Sequence, residues 1–209
     1  MSKSSLRERK KQRSRDDILS AAQQLIAERG YVKVRMRDIS ESADVSYQTL
    51  YNYFPTKAHI TEALITADID PLRGQMTATI DGQACEPLRA LELLNQLRFD
   101  FLEAHDRDIW RDLCIALLQR ESRPNQIGQL IEAHTSQPTI ELITRSRATG
   151  ALARVDTNVL ARTINDLTNT ALNAYLMNPE ADASMILARL SSQLTLVLSP
   201  YLAEGVASP

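Results

Sequence analysis

Apolar residues recur along this chain at three- and four-residue intervals almost throughout. Ile18, Ala21, Ala22, Leu25 and Ile26 share one face of a helix that Gly30 closes. Ser14 with Asp17 three residues on reads as the capping box of that helix, so order is expected to begin near Ser14. Met36, Ile39 and Ala43 mark a short second helix, and Asp44-Val45 the break after it. Ser46 is the expected N-cap of a third helix, YQTLYNYF, which Pro55 stops. Thr56 is placed to cap a fourth, through His59, Ile60, Ala63, Leu64 and Ala67 to Pro71.

The rest of the pattern is helical too. Residues 72–86 are ambiguous, with Gly74 and Gly82 as breakers. Pro87 suits the first turn of a helix holding Leu91, Leu94, Leu97, Phe101 and Leu102. Ile109, Trp110, Leu113, Leu117 and Leu118 form the next segment, closed by Arg123-Pro124. Residues 125–149 are periodic, with a kink or break expected at Pro138 and an end at Gly150. Two long helices close the chain. One spans about Asp156–Met177 on the stripe Leu160, Ile164, Leu167, Ala171 and Tyr175. After Asn178-Pro179 comes about Ala181–Ala203, with Ile186, Leu190, Leu194, Val197 and Tyr201. No strand-like alternation is sustained, so the expected fold is all-α. Its expected divisions are a flexible basic arm (1–13), a three-helix domain (14–58) and a larger helical domain (59–209).

Charge changes this picture. The 209 residues carry 24 Lys+Arg and 26 Asp+Glu, which hides a sharp split. Residues 1–57 hold 12 basic and 7 acidic residues, and residues 58–209 hold 12 and 19. All five lysines (Lys3, Lys10, Lys11, Lys33 and Lys57) lie in the first part. A basic front on an acidic body suits a front that meets a polyanion. Apolar content of 44% with 24% charged is globular rather than disordered. No apolar run is long enough to span a membrane or to act as a secretion signal, so the expected location is cytoplasmic, with no membrane partner. Cys85 and Cys114 are then expected to be free thiols. His59, His105 and His134 are isolated, and Glu103, His105, Asp106 and Asp108 read as a charged helix end. With no HExxH, GxSxG or Walker pattern, no enzymatic activity, metal or cofactor is expected.

Short helix, three-residue turn and second short helix together have helix-turn-helix spacing. Val45 and Leu50 are the expected anchors, leaving Tyr47, Gln48, Thr49, Tyr51, Asn52 and Tyr53 largely on the outer side. Such neutral hydrogen-bonding residues suit base edges and phosphates. Gln48 or Asn52 could bond adenine, and Arg37 guanine or a phosphate. Short helix pairs also occur in proteins that never touch DNA; the basic arm and the charge split favour the DNA-binding reading.

The stretch GYVKVRMRDISESADVSYQTLYNYFPTKAHI resembles the signature region of the TetR family of bacterial transcriptional regulators. RDIS, the VS before the third helix, TLYNYF and Lys57 carry the likeness, and ILSAAQQLIAERGY resembles the family's first helix. The resemblance implies a ligand-responsive regulator, a repressor, that binds a palindromic double-stranded DNA operator as a homodimer. Arg37, Tyr47 and Gln48 fall where members contact or read DNA. Thr49, Tyr51, Tyr53 and Lys57 match phosphate clamps, and Asn52 is base- or backbone-facing. Arg35 and Ser46 complete the candidate set. Two departures stand out: Asp44 replaces the usual turn glycine, and Arg35 replaces the usual Ser or Thr cap. In the body, the resemblance implies a dimer surface on the last two helices, with Leu160, Ile164, Leu167, Ile186, Leu190, Leu194 and Val197 as candidates. It also implies a pocket for an unknown small-molecule effector. Phe99, Trp110, Cys114, His134, Asn169 and Tyr175 are its candidates. The alternative is an architectural or cell-division factor that uses the same head and acts through a protein partner.

Overall fold

A computed structural model describes residues 3–83, 85–111 and 126–203, with side chains except those of 3–6 and 126–135. Helices α1 (Lys3–Arg29), α2 (Met36–Ser42), α3 (Tyr47–Tyr53), α4 (Lys57–Gln83) and α5 (Pro87–Ala104) build the first half. Residues 107–111 are helical as well. Then follow α6 (Gln126–Ala148), α7 (Thr157–Met177), α8 (Ala183–Leu198) and a 3-10 turn, Ser199–Tyr201. No strand occurs among the described residues, in line with the all-α expectation. The helices fall into two compact units, one joining Met1–Asp68 to Asp108–Ile127, the other Ile69–Arg107 to Gly128–Pro209.

The first unit is organised around a small apolar core. Ile18, Ala22, Leu25 and Ile26 of α1 meet Val34, Ile39 of α2, Leu50 of α3, Phe54 and Ile60 of α4. Burying side chains of this size stabilises by about 1.5–3 kcal/mol each, which is what holds two seven-residue helices that would not form alone. Gly30 ends α1 at φ +78°, a left-handed conformation that glycine adopts without a Cβ penalty.

In the second unit α8 packs on α7 and α5. Leu91, Leu94, Phe99, Leu142, Ile143, Ile164 and Leu198 are fully buried there. Asp156 and Asp182 cap α7 and α8 through backbone N–H groups of the first turn. Residues 201–203 are clipped to the loop before α7: Ala153 N–H donates to the Tyr201 carbonyl (2.6 Å) and Ala203 N–H to that of Ala151 (3.0 Å).

Several boundaries differ from the sequence expectations. α1 begins at Lys3, so residues 3–13 are its opening turns rather than a flexible arm, and Ser14 lies inside the helix. Lys, Arg, Glu and Gln are good helix formers, and exposed like charges are hydrated and screened. Gln12 also bonds Asp16 one turn on, at 2.8 Å. α4 continues through Pro71 to Gln83. Both Pro71 and Ala67, whose carbonyl the proline deprives of a donor, are exposed, so water can take that carbonyl. α6 likewise runs through Pro138. α8 stops at Leu198, where Pro200 follows in the 3-10 turn. Leu113, Cys114, Leu117, Leu118, Arg123 and Pro124 lie outside the described residues.

Candidate nucleic-acid interface

The link between α2 and α3 is built from local hydrogen bonds. Val45 N–H donates to the Ser40 carbonyl (3.0 Å) and Asp44 N–H to that of Glu41 (3.3 Å), the paired bonds of a Schellman turn. Asp44 sits at its left-handed position, φ +52°, so this residue fills the role usually given to glycine. Ser46 then caps α3: its hydroxyl accepts from Thr49 N–H at 3.1 Å and lies 2.8 Å from the Thr49 hydroxyl. At the start of α2, a guanidinium cannot accept a hydrogen bond, so Arg35 supplies no cap. Asp38 compensates from the other side, its carboxylate accepting from Arg35 N–H at 2.8 Å.

Leu50 is fully buried and Val45 half-buried, which fixes the orientation of α3. Its outer face carries two side-chain pairs one turn apart. The Tyr47 hydroxyl donates to that of Tyr51 (3.2 Å), with ring centroids 4.7 Å apart. The bond to Tyr51 holds the Tyr47 phenol above its ordinary pKa, so it remains a donor. Gln48 Nε2 donates to Asn52 Oδ1 at 3.2 Å. All four residues are exposed, as are Arg35 and Ser46. Arg37 is exposed too, and pairs with Glu41 one turn on (3.1 Å).

Two candidates sit differently from expectation. Lys57 Nζ donates to the carbonyls of Tyr31 (2.7 Å) and Val34 (2.9 Å) and lies 4.2 Å from the centre of the Tyr31 ring. Burial lowers its pKa. It ties down the loop between α1 and α2, leaving at most one donor for a phosphate. Tyr53 is half-buried against the apolar core of this unit, and Thr49 is half-buried beside its cap.

In the second unit Phe99 and Tyr175 come together, edge to face at 5.5 Å, as packed core. Arg107 lies over the Tyr175 ring at 3.8 Å. Asn169 is half-buried. Trp110 is buried and belongs to the first unit. Cys114 and the side chain of His134 lie outside what is described. An open groove of about 390 Å³ runs elsewhere, between α5 and α8, past Leu93, Asn95, Gln96, Leu187, Leu190 and Leu194. The sequence reading missed Asn95 and Arg98, both buried on α5. The available signal was their spacing, because both stand on the stripe Leu91, Leu94, Leu102.

The dimer candidates also divide. Leu160, Ile164, Leu190 and Leu194 are at most 4% exposed within a single chain, so they fill its own core instead of facing a partner. Leu167, Ile186 and Val197 are half-buried. The large apolar residues that these two helices leave exposed are Val159, Met177, Met185 and Leu196. Among the described residues no group of His, Cys, Asp and Glu could hold a metal ion, and no helix is long and apolar enough to cross a membrane.

Comparison with known proteins matches this architecture. Residues 18–64 fit the family described as bacterial regulatory proteins, tetR family. The repressor KstR of Rhodococcus jostii is 26% identical, over 93% of this chain and 85% of that one. The nucleoid occlusion factor SlmA of Vibrio cholerae is 26% identical, over 88% and 97%. SmeT, repressor of the Stenotrophomonas maltophilia multidrug efflux pump SmeDEF, shares the fold. Its TM-score is 0.67 at 22% identity, over 93% of both chains. The matched segment reaches from Ile18 to Leu64, across the helices that hold α3 in place, and over these residues the chain is similar to the tetR family of bacterial regulatory proteins.

Proposed function

We propose that this protein is a ligand-responsive transcriptional repressor that binds a two-fold symmetric DNA operator as a homodimer and lets go when a small molecule occupies its body. The observation that carries the reading is the outer face of α3, with Tyr47–Tyr51 and Gln48–Asn52 exposed around a helix anchored by Ser46 and Leu50. Neutral amide and hydroxyl groups in that arrangement can meet base edges and phosphates in a major groove. Arg35, Arg37 and the basic turns of α1 supply charge for the DNA backbone. KstR and SmeT are repressors, and SmeT is also known as a complex with triclosan, which supports a ligand-responsive repressor here.

A homodimer needs an apolar surface that one chain leaves open. Met185, Ala188, Ser192 and Leu196 recur at helical spacing on the exposed side of α8, and Val159 is exposed on α7. These replace the four buried stripe residues as the proposed contact, with Leu167, Ile186 and Val197 at its margin.

Selection of bound duplexes from a random DNA pool tests the reading. A two-fold symmetric sequence whose complex dissociates on ligand binding is the expected outcome. Recovery of no preferred sequence would contradict it. Sequence-specific binding that only a protein partner alters would favour the architectural reading, which the likeness to SlmA keeps in view.

A further inference from the structure

One groove of the second unit is lined by a buried amide whose nitrogen has nothing to donate to. Asn95 is 1% exposed and stands on the α5 stripe of Leu91, Leu94 and Leu102. Its Oδ1 accepts from Arg98 Nη1 (2.9 Å) and from the Thr168 hydroxyl on α7 (3.3 Å). A guanidinium only donates, so the Arg98 contact fixes the amide with its oxygen toward Arg98 and its nitrogen turned away. Nδ2 is buried there with no hydrogen-bond partner among the described residues. A buried N–H without an acceptor is destabilising until a ligand supplies one.

Asn95 lines the groove between α5 and α8, and at about 390 Å³ that groove has the size of a small-molecule site. Leu93, Leu187, Leu190 and Leu194 form its apolar walls. The polar groups at its rim are engaged already. Glu92 accepts from the Ser191 hydroxyl (2.6 Å) and faces Arg89 at 3.6 Å, and Gln96 Nε2 donates to Asp100 at 2.7 Å. The opposite charges of Glu92 and Arg89 thus answer each other, and the group still to be matched is the neutral Asn95 donor.

We propose that the α5–α8 groove binds a small, uncharged apolar molecule with a carbonyl oxygen at one end. The oxygen accepts from Asn95 Nδ2, and the hydrocarbon lies along Leu93, Leu187, Leu190 and Leu194. The inference rests on the ligand-responsive reading above and names the chemistry of the effector. An ammonium head only donates, so it would meet Asn95 donor to donor. An uncharged carbonyl supplies the one acceptor needed without carrying a charge into leucine walls.

Calorimetric titration of the full-length protein with 2-octanone, octylammonium and octanoate tests this. The ketone is expected to bind at least roughly tenfold more tightly than either ion. Asn95→Asp keeps an oxygen for Arg98 and Thr168 and puts a second oxygen where the unpartnered N–H stood. In that variant the ketone should lose at least roughly tenfold and octylammonium should become the tighter ligand, with a circular-dichroism melt verifying the fold. If the variant does not fold, the comparison of the three compounds on the unaltered protein still decides. No ketone binding, an ion bound as tightly as the ketone, or an order of affinities unchanged in Asn95→Asp would overturn the proposal. DNA binding followed in the same samples separates the two readings. Ketone bound while DNA is retained supports the groove site and contradicts release by its ligand. DNA released by another compound, with the ketone unbound, does the reverse.

Discussion

On α3 the side chains hold one another before DNA arrives. Gln48 and Asn52, like Tyr47 and Tyr51, are one turn apart and already bonded, so each lacks some of the rotamer freedom that binding would otherwise remove. This arrangement was legible in the sequence because polar residues at i and i+4 on a short amphipathic helix must share a face. Lys57 was not. An amphipathic side chain beside a helix start can reach solvent or fold back onto carbonyls, and only the position of the loop at Tyr31 and Val34 decides. Lys57→Met is accordingly expected to destabilise the protein by about 1–3 kcal/mol, seen as a lower urea midpoint without DNA present. A pure phosphate contact would leave that midpoint unchanged. Asp44, at φ +52°, carries the opposite expectation: Asp44→Gly should stabilise the fold by about 0.5 kcal/mol and so raise the midpoint, whereas Asp44→Val should lower it.

Helix ends were read well where one residue determines the geometry. Gly30, Ser46 and Pro87 each do so, through a left-handed turn, a side-chain acceptor and an absent donor. Pro71 was misread because the cost of a helical proline depends on its neighbours, and here long helix flanks and an exposed carbonyl reduce it. Elements this short depend on tertiary anchors. Leu50→Ala should cost about 2–5 kcal/mol and loosen α3 first, which amide hydrogen exchange would register as lost protection over Tyr47–Phe54. The start of α8 responds to pH. The Ser184 hydroxyl, with the Ser184 and Met185 N–H groups, holds the Asp182 carboxyl below its ordinary value of 3.8. The unfolded chain takes up that proton first, so the cap stabilises fully above about pH 4 and is lost as pH falls through the depressed value. The difference in melting temperature between the protein and Asp182→Ala should therefore shrink in acid below that point.

Across the molecule, charge and burial separate the two jobs. The basic excess gathers on α1 and around α3, while the remainder of the chain is acidic, which disfavours its approach to phosphates. Periodicity showed that α7 and α8 bury a stripe, but it could not say whether the chain or a partner covers it. Leu160, Ile164, Leu190 and Leu194 turned out to be internal, and Leu196 and Met185 remain open. Leu196→Glu is expected to give a folded monomer by light scattering, with DNA affinity reduced by roughly tenfold or more, since each half-site would then bind alone. The role of α3 is tested most directly by titrating the protein onto the DNA that flanks its own coding region at increasing salt, beside Gln48→Ala and Lys10→Ala. The affinity should fall along a straight log–log line, and Gln48→Ala should lose preference for that DNA over unrelated DNA by about 1–3 kcal/mol with an unchanged slope. Lys10→Ala should instead flatten the slope and keep the preference. A salt-insensitive complex, or an undiminished preference in Gln48→Ala and Tyr47→Ala alike, would contradict DNA reading by this helix.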